Sequence, residues 1–322
     1  MEKYDIYPAK PHIEKVKIES NWVLTAFSLV LFVGVFLLLF KDEINFVLFL
    51  ILVLFIHEMG HFTFMKLFNY ENVRMLFIPL MGAFVQGSKE KYSQTQSFIV
   101  VAAGPFPGIC IGIISLFISS YYQLNWILEL SFLFLFLNII NLIPIDPLDG
   151  GQLFKLLVHK KRDIFLIIFA FISSLVLILV GFLIWLYKLN DFSWVTMIFG
   201  FFMGIRVRGM QRNYQIRKLL DEQEVNYIST YDDLSNRDYA LIRDVIIAET
   251  PALKKFLALS DEQNDDVLAS HVNSVLLAPV KYDASFWLKF TIVVSWIMLV
   301  FLPLFLLAFY RHTFLDWYLE TI

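Results

Sequence analysis

Residues 44–65 read INFVLFLILVLFIHEMGHFTFM, a stretch whose only titratable side chains are His57, Glu58 and His61. In a helix, positions i and i+4 share one face, so the two imidazoles can bind a single metal ion. Glu58 beside them can take a proton from a metal-bound water. A chance H-E-x-x-H would be a serious alternative in a soluble protein. At membrane depth ionisable groups are costly and mark function by default, so the stretch favours a metal site.

The composition is that of a membrane protein. Of 322 residues, 58% are hydrophobic and only 17% are charged, and the mean hydropathy is +0.67. The formal net charge of −3 provides no basic field, so we expect no nucleic-acid partner. A single cysteine, Cys110, excludes an intramolecular disulfide framework. The first apolar run begins at Trp22 without a small-residue cleavage site, so we expect it to be retained as a span.

Several apolar segments are long enough to cross the hydrocarbon core of a bilayer as helices. Seven such spans are predicted, at about residues 22–40, 44–66, 97–119, 126–143, 164–187, 191–207 and 290–310. Residues 73–87 are apolar but too short to span, and Pro79 and Gly82 interrupt them, so a membrane-associated β-hairpin fits better. The predicted fold class is therefore an all-α polytopic membrane protein with about seven transmembrane helices, a small β-hairpin and a small helical cytosolic domain.

Lysine and arginine lie mostly on one side of the predicted spans. The N-terminal segment and residues 66–91, 155–162 and 206–218 together carry 17 of them, whereas the opposite side carries three, namely Lys41, Lys188 and Arg311. This positive-inside bias places the N-terminus in the cytosol and the pentad at residues 57–61 near the cytosolic side. We therefore expect a multi-pass protein of the bacterial cytoplasmic membrane.

One sizeable stretch reads as water-soluble. Residues 219–283 hold 13 acidic and 5 basic residues, and helices are predicted at Asp238–Glu249, at Pro251–Leu259 and after a capping box formed by Ser260 and Gln263. The predicted parts are a cytosolic N-terminal segment at 1–21, a six-span core with the metal site at 22–207, an acidic helical cytosolic domain at 208–283, and a seventh helix with a short tail at 284–322. The acidic domain would either gate access or recruit a cytosolic partner, or act as a spacer.

Two histidines leave a catalytic zinc one protein ligand short. The other four histidines lie before the first span, beyond the fourth, in the acidic stretch and on the opposite side. Two carboxylates in the loop after the fourth span are better placed, namely Asp146 and Asp149. Asp149 is followed by two glycines, which would let the chain turn tightly around a ligand, so it is favoured. Asp146 remains open as a ligand or as a solvated turn residue.

Two motifs together resemble a known family. The pentad His57–His61, with Asn141–Pro144 followed by Leu148–Gly151, resembles the site-2 protease family of intramembrane zinc metalloproteases. The family pattern is H-E-x-x-H in one transmembrane helix and N-x-x-P-x-x-x-x-D-G in a later one, and both match without gaps. The resemblance covers about residues 44–160, while residues 208–283 resemble nothing recognisable and show no PDZ-like or CBS-like pattern.

The resemblance implies an enzyme that hydrolyses peptide bonds within or near transmembrane segments of membrane proteins. One Zn²⁺ per chain would be held by His57, His61 and Asp149. The catalytic residues would be Glu58, as the general base, and Asn141, which would hold the substrate backbone or the transition-state oxygen. The implied partners are a single-span membrane protein as substrate and the lipid bilayer, and no oligomeric state is indicated.

The resemblance extends to two further stretches. Ala103-Gly104-Pro105 is similar to the family's central-helix motif, although Gly108 stands where an asparagine is often found. The segment of Gly82, Ala83, Phe84 and Val85 resembles a membrane-embedded β-loop thought to present an edge strand to substrate. A zinc-binding membrane scaffold or chaperone without proteolytic activity is the alternative function, and the intact Glu58 argues against it because zinc binding alone does not require that residue.

Overall fold

The computed structural model of the protein describes residues 7–12, 22–41, 43–158, 162–188, 193–259 and 265–310. The capping box predicted at Ser260 and Gln263, most of the N-terminal segment 1–21 and the tail after residue 310 lie outside the described residues. The helices are α1 Trp22–Leu39, α2 Ile44–Leu67, α3 Gln94–Ala103, α4 Pro105–Tyr122, α5 Asn125–Asn141, α6 Asp149–Leu157, α7 Arg162–Leu186, α8 Ser193–Glu222, α9 Asn236–Glu249, α10 Pro251–Leu259, α11 Asp265–Val275 and α12 Phe286–Phe309. The strands are β1 Glu71–Ile78, β2 Gly82–Ser88, β3 Tyr92–Ser93 and β4 Val280–Lys281.

The described part of the chain contains five segments long and apolar enough to cross a membrane: α1, α2, the α3–α4 unit, α7 and α12. The mostly helical membrane fold is therefore confirmed, but the count of seven spans is not. The span predicted at 126–143 is α5, whose 17 residues measure about 25 Å, less than the hydrocarbon thickness of about 30 Å. The span predicted at 191–207 is the first part of α8, which continues into polar sequence.

The outward faces of the long helices are apolar and exposed. Leu38 of α1 is 69% exposed, Trp185 of α7 is 58% exposed and Phe286 of α12 is 74% exposed. Apolar surface of this extent is stable against lipid tails rather than against water. The buried side chains instead collect where α2, α4 and α5 meet, with Val53, Leu133 and Phe134 at the centre of one cluster.

The third predicted span is two helices joined at Gly104. Ser93 caps α3 by accepting a hydrogen bond from the Gln96 N–H at 3.1 Å. Pro105 then stands at the first position of α4, where its missing N–H costs no hydrogen bond. The break brings Gly104 against α2, which positions the central part of the membrane core around the pentad.

The hairpin predicted at 73–87 forms as β1 and β2, an antiparallel pair in which Val85 faces Met75 and Gly82 faces Ile78. Helix α1 covers the outer edge of β1, because Thr25 donates to the Met75 carbonyl at 2.8 Å and Ser28 accepts from the Phe77 N–H at 3.2 Å. The outer edge of β2 has no strand partner among the residues described.

Helix α8 links the membrane core to the acidic stretch without a break. The boundary predicted between residues 207 and 208 falls inside this 30-residue helix. Its last turns bury Ile216 and Leu220 against α9 and α11. Arg217 of the same helix donates to Asp163 at the start of α7 at 2.9 Å and to the Val275 carbonyl, at the end of α11, at 3.1 Å. Helix α8 therefore ties α11 to α7.

Candidate metal centre

Helix α2 carries three titratable side chains into the interior. His57, Glu58 and His61 are 4%, 5% and 9% exposed. The surrounding run is apolar and lacks proline and breaks, so it forms one continuous 24-residue helix, and the i, i+4 spacing sets both imidazoles on one face. The two Nε2 atoms are 3.3 Å apart.

Asp149 is the first residue of α6 and reaches the same point from the other side of the core. Its Oδ2 lies 3.0 Å from His57 Nε2 and 3.3 Å from His61 Nε2. The glycines after it are required by close packing, because a Cβ at Gly150 would collide with the Leu142 carbonyl and a Cβ at Gly151 with the Ile145 carbonyl. The chain thus doubles back on the end of α5 and holds the carboxylate over the two imidazoles.

The three ligand atoms fit a zinc ion. Zinc–nitrogen and zinc–oxygen bonds of about 2.0–2.1 Å at tetrahedral angles separate neighbouring ligand atoms by about 3.3 Å, close to the three observed distances of 3.0, 3.3 and 3.3 Å. The Oδ2 atom of Asp149 is buried without a hydrogen-bond donor. A buried acceptor of this kind is costly unless a cation or donor satisfies it.

The hydrogen bonds of the two Nδ1 atoms determine that the Nε2 lone pairs of His57 and His61 face each other and Asp149. The Nδ1 atom of His61 lies 2.8 Å from the Val100 carbonyl oxygen, an acceptor, so it carries the proton. The Nδ1 atom of His57 lies 2.7 Å from Asn138 Oδ1. Both Nε2 atoms are then free to bind a metal.

Two glycines make room for this arrangement. A Cβ at Gly60 would collide with the Ala103 carbonyl, and a Cβ at Gly104 would collide with the imidazole of His61. The break between α3 and α4 therefore lies directly against the pentad. The sequence predicted a motif at Ala103-Gly104-Pro105, and the structure shows that its glycine borders the candidate metal ligand.

Asp146, the other carboxylate considered as a ligand, is engaged elsewhere. It is 1% exposed and accepts from Lys155 Nζ at 2.8 Å and from Arg206 at 3.5 Å. Its backbone N–H donates to Ser173 Oγ at 3.0 Å. Asp146 is therefore neither a solvated turn residue nor part of the ligand cluster, and it ties the Asp149 loop to α6, α7 and α8.

The remaining predicted site residues lie at the end of α5 and in β2. Asn141 is the last residue of α5 and is half-buried. The predicted substrate segment, residues 82–85, forms the first half of β2. The Val85 backbone lies near the Glu58 carboxylate, so the outer edge of β2 is next to the buried glutamate.

Sequence reasoning missed Asn138. It is 1% exposed in the apolar helix α5, accepts from His57 and donates through Nδ2 to the Phe134 carbonyl at 2.7 Å. A polar side chain inside an apolar segment was the available signal, since polar groups in such segments rarely lack a function. The motif match drew attention to Asn141, one helical turn later, instead.

Comparison with known proteins gives the same family for the segment around the pentad. Residues 45–128 match the profile of Peptidase family M50. The "Zinc metalloprotease MJ0392" of Methanocaldococcus jannaschii is 31% identical over 111 residues, which are 33% of this chain and 32% of that protein. Stage IV sporulation protein FB of Bacillus subtilis is 30% identical over 119 residues, which are 35% of this chain and 40% of that protein. The chain thus spans about a third to two fifths of the length of these curated relatives.

Among solved structures, the site-2 protease from Methanocaldococcus jannaschii aligns with 57% of this chain and 88% of its own, at 22% sequence identity and a TM-score of 0.42. The match to the family profile contains the whole pentad and ends before the Asn141–Gly151 motif. Residues 45–128 are thus similar to peptidase family M50, in agreement with the site-2 protease family that the two sequence motifs resemble.

Proposed function

We propose that this protein is an intramembrane zinc metalloprotease that cleaves peptide bonds within or near transmembrane segments of membrane proteins. The observation that carries the proposal is the meeting of His57, His61 and Asp149 ligand atoms within 4.8 Å of one another, beside a buried Glu58 in an apolar helix. The M50 relatives support the same reaction class. Each chain would hold one Zn²⁺ through those three side chains.

When bound, the ion would polarise the scissile carbonyl and make a water molecule acidic enough to attack near neutral pH. Glu58 accepts the proton of the attacking water and passes it to the leaving amine. Asn141 holds the substrate backbone or donates to the oxygen that becomes negative in the transition state. The burial of Glu58 excludes bulk water from this proton transfer.

A substrate helix hides its carbonyl groups in its own hydrogen bonds, so it must unwind before cleavage. An unwound segment can replace the lost bonds by pairing with a free strand edge. Helix α1 already covers the edge of β1, whereas the edge of β2 at Gly82, Ala83, Phe84 and Val85 lies beside Glu58. We therefore assign β2 as the strand that receives the substrate.

The same proposal covers the organisation of the chain in the membrane. The cytosolic N-terminal segment 1–21, the core 22–207 and the acidic helical unit 208–283 face or border the cytosol, as the excess of lysine and arginine on that side supports. The last helix and tail, 284–322, complete the membrane part. The acidic unit would gate access or recruit a cytosolic partner, or act as a spacer, and α8 connects it directly to the core.

The competing function is a zinc-binding membrane scaffold or chaperone that does not cleave. Replacement of Glu58 distinguishes the two, because the glutamate is not among the candidate ligands. Membrane proteomes of cells that produce wild-type protein, Glu58→Gln or the control Glu129→Gln are compared. Glu129 lies in α5, away from the ligand cluster. If the protein is a protease, uncut single-span proteins should accumulate only in cells that produce Glu58→Gln, and this variant should still bind zinc. Identical proteomes for Glu58→Gln and Glu129→Gln would support the scaffold.

A further inference from the structure

The amide of Asn138 is fixed in one orientation by its two contacts. Its Nδ2 is 2.7 Å from the Phe134 carbonyl oxygen, and its Oδ1 is 2.7 Å from His57 Nδ1. The reverse orientation would set the amide oxygen against a carbonyl oxygen, which is repulsive. Oδ1 therefore faces the imidazole and accepts a hydrogen bond, so the proton of His57 resides on Nδ1.

This hydrogen bond decides what the other side of the ring can do. With the proton on Nδ1, the lone pair of His57 Nε2 points at the Asp149 carboxylate, 3.0 Å away. His61 has the equivalent arrangement, but its Nδ1 partner is the backbone carbonyl of Val100. Asn138 is therefore the side chain on which the orientation of one of the two imidazoles depends.

Helix α4 supplies the space that Asn138 occupies. A Cβ at Gly108 would collide with the Asn138 amide. Asn138 is 1% exposed and has no room to turn away. Because Gly108 in α4 has no side chain, the amide of Asn138 in α5 fits in the space beside it.

We propose that Asn138 is the positioning residue for His57, which sets the tautomer and ring orientation that the metal site needs, with Gly108 as its steric partner. The inference rests on the proposed zinc site at His57, His61 and Asp149. Outer hydrogen-bond partners of metal-binding histidines typically contribute about 10–100-fold in metal affinity. Asn138 touches neither the metal position nor the substrate edge, so its effect reaches the site through His57.

The test is the zinc affinity of the purified full-length chain in detergent, measured by competition with a fluorescent chelator. Asn138→Ala is expected to bind zinc about 10–100-fold more weakly. Asn138→Asp keeps an acceptor for His57 Nδ1 but loses the donor to the Phe134 carbonyl, so it is expected to restore part of that loss and to bind zinc more tightly than Asn138→Ala. Ser131→Ala is the matched control, because Ser131 is also buried in α5 and donates to a carbonyl of α4, that of Gly112, at 2.8 Å. It is expected to bind zinc as the wild type does.

A second pair keeps the proposal testable if Asn138→Ala does not fold. Gly108→Ala is expected to displace the Asn138 amide. Zinc binding should then weaken by at least about 10-fold, the lower end of the range for outer hydrogen-bond partners of metal-binding histidines. Gly112→Ala crowds Leu135 in the same helix pair and is expected to leave zinc affinity unchanged.

Two outcomes would overturn the inference, and they are distinguishable. If folded Asn138→Ala and Gly108→Ala bind zinc as tightly as wild type, the positioning role is wrong while the metal site stands. If the wild type itself binds no zinc, the metal site fails and the role of Asn138 fails with it.

Discussion

The indole N–H of Trp296 donates to the carbonyl oxygen of Leu142 at 2.8 Å. Leu142 follows the last residue of α5, and its carbonyl also packs against Gly150, next to the candidate ligand Asp149. Helix α12 therefore supports the loop that carries the third candidate ligand, although it lies outside the segment that matches the peptidase family. The last helix is therefore part of the framework of the candidate metal site.

Trp296→Phe should destabilise the protein, because it leaves the Leu142 carbonyl without its donor. An unsatisfied buried group of this kind costs about 1–3 kcal/mol. Thermal unfolding in detergent measures the effect, and Trp287→Phe is the control, because Trp287 lies in the same helix but is 73% exposed. Equal midpoints for the two variants would show that the contact does not hold the loop.

Asp146→Asn should lower stability without removing the metal. The carboxylate pairs with Lys155 at 2.8 Å, and the two side chains are 2% and 13% exposed. Breaking a buried pair leaves an uncompensated charge, which costs about 3–5 kcal/mol. Zinc content and thermal unfolding should therefore distinguish the role of Asp146 from that of Asp149, because Asp149→Asn is expected to lose zinc. Loss of zinc from folded Asp146→Asn would contradict this division of roles.

Asp283 should stabilise the junction of α3 and α12 in a pH-dependent way. The Thr95 N–H, with help from Ser93 Oγ, lowers the pKa of Asp283 from 3.8 to about 2. A lowered folded-state pKa means that the contribution is full above the ordinary value and is lost as the pH falls through about 2. The carboxylate is exposed, so the contribution is about 1 kcal/mol or less.

Thermal unfolding of wild type and Asp283→Asn at a series of pH values measures this contribution. The wild type should unfold at the higher temperature at neutral pH, and the difference should shrink between pH 4 and 2, the interval between the two pKa values of 3.8 and about 2. A difference that stays constant over that interval would show that Asp283 acts through packing alone.

Ala83→Pro should slow cleavage while zinc stays bound. Proline removes one backbone N–H from β2, and a substrate strand paired with that edge would lose a hydrogen bond. Ala83→Ser adds a comparable polar change but keeps the N–H, and it serves as the control. Cleavage of an identified substrate and zinc content are measured together. Unchanged cleavage by folded Ala83→Pro would exclude this edge as the substrate site.

Much of the framework could be predicted from the sequence because a membrane imposes simple length and polarity rules. The bounds of α1, α2, α7 and α12 and the hairpin agree with those rules within a few residues. The count of spans could not be fixed in this way. Short apolar segments such as α5 and the first part of α8 have the composition of a membrane span. Where each of these helices begins and ends depends on its packing, so the sequence alone did not show whether they cross the membrane.

The site was predictable where residues carry their own chemistry. The i, i+4 spacing of His57 and His61 in a helix predicted them as metal ligands. The family resemblance decided for Asp149 over Asp146. The structure gives a physical reason for that choice, because the carboxylate of Asp146 forms ion pairs with Lys155 and Arg206. The apolar surroundings of Asn138 mark it as unusual, but its partner was not predictable. His57 lies 81 residues away in the chain, and only the packing of α5 against α2 brings the two together.

The most direct test is the zinc content of the freshly purified full-length chain, by atomic spectrometry, for wild type, His61→Ala and His271→Ala. His271 lies in α11 and hydrogen-bonds to the Val267 carbonyl within its own helix, so it controls for the loss of an imidazole. One zinc per chain is expected in the wild type and in His271→Ala, and none in His61→Ala. A wild type without tightly bound zinc, or full zinc in His61→Ala, would contradict the proposed zinc site.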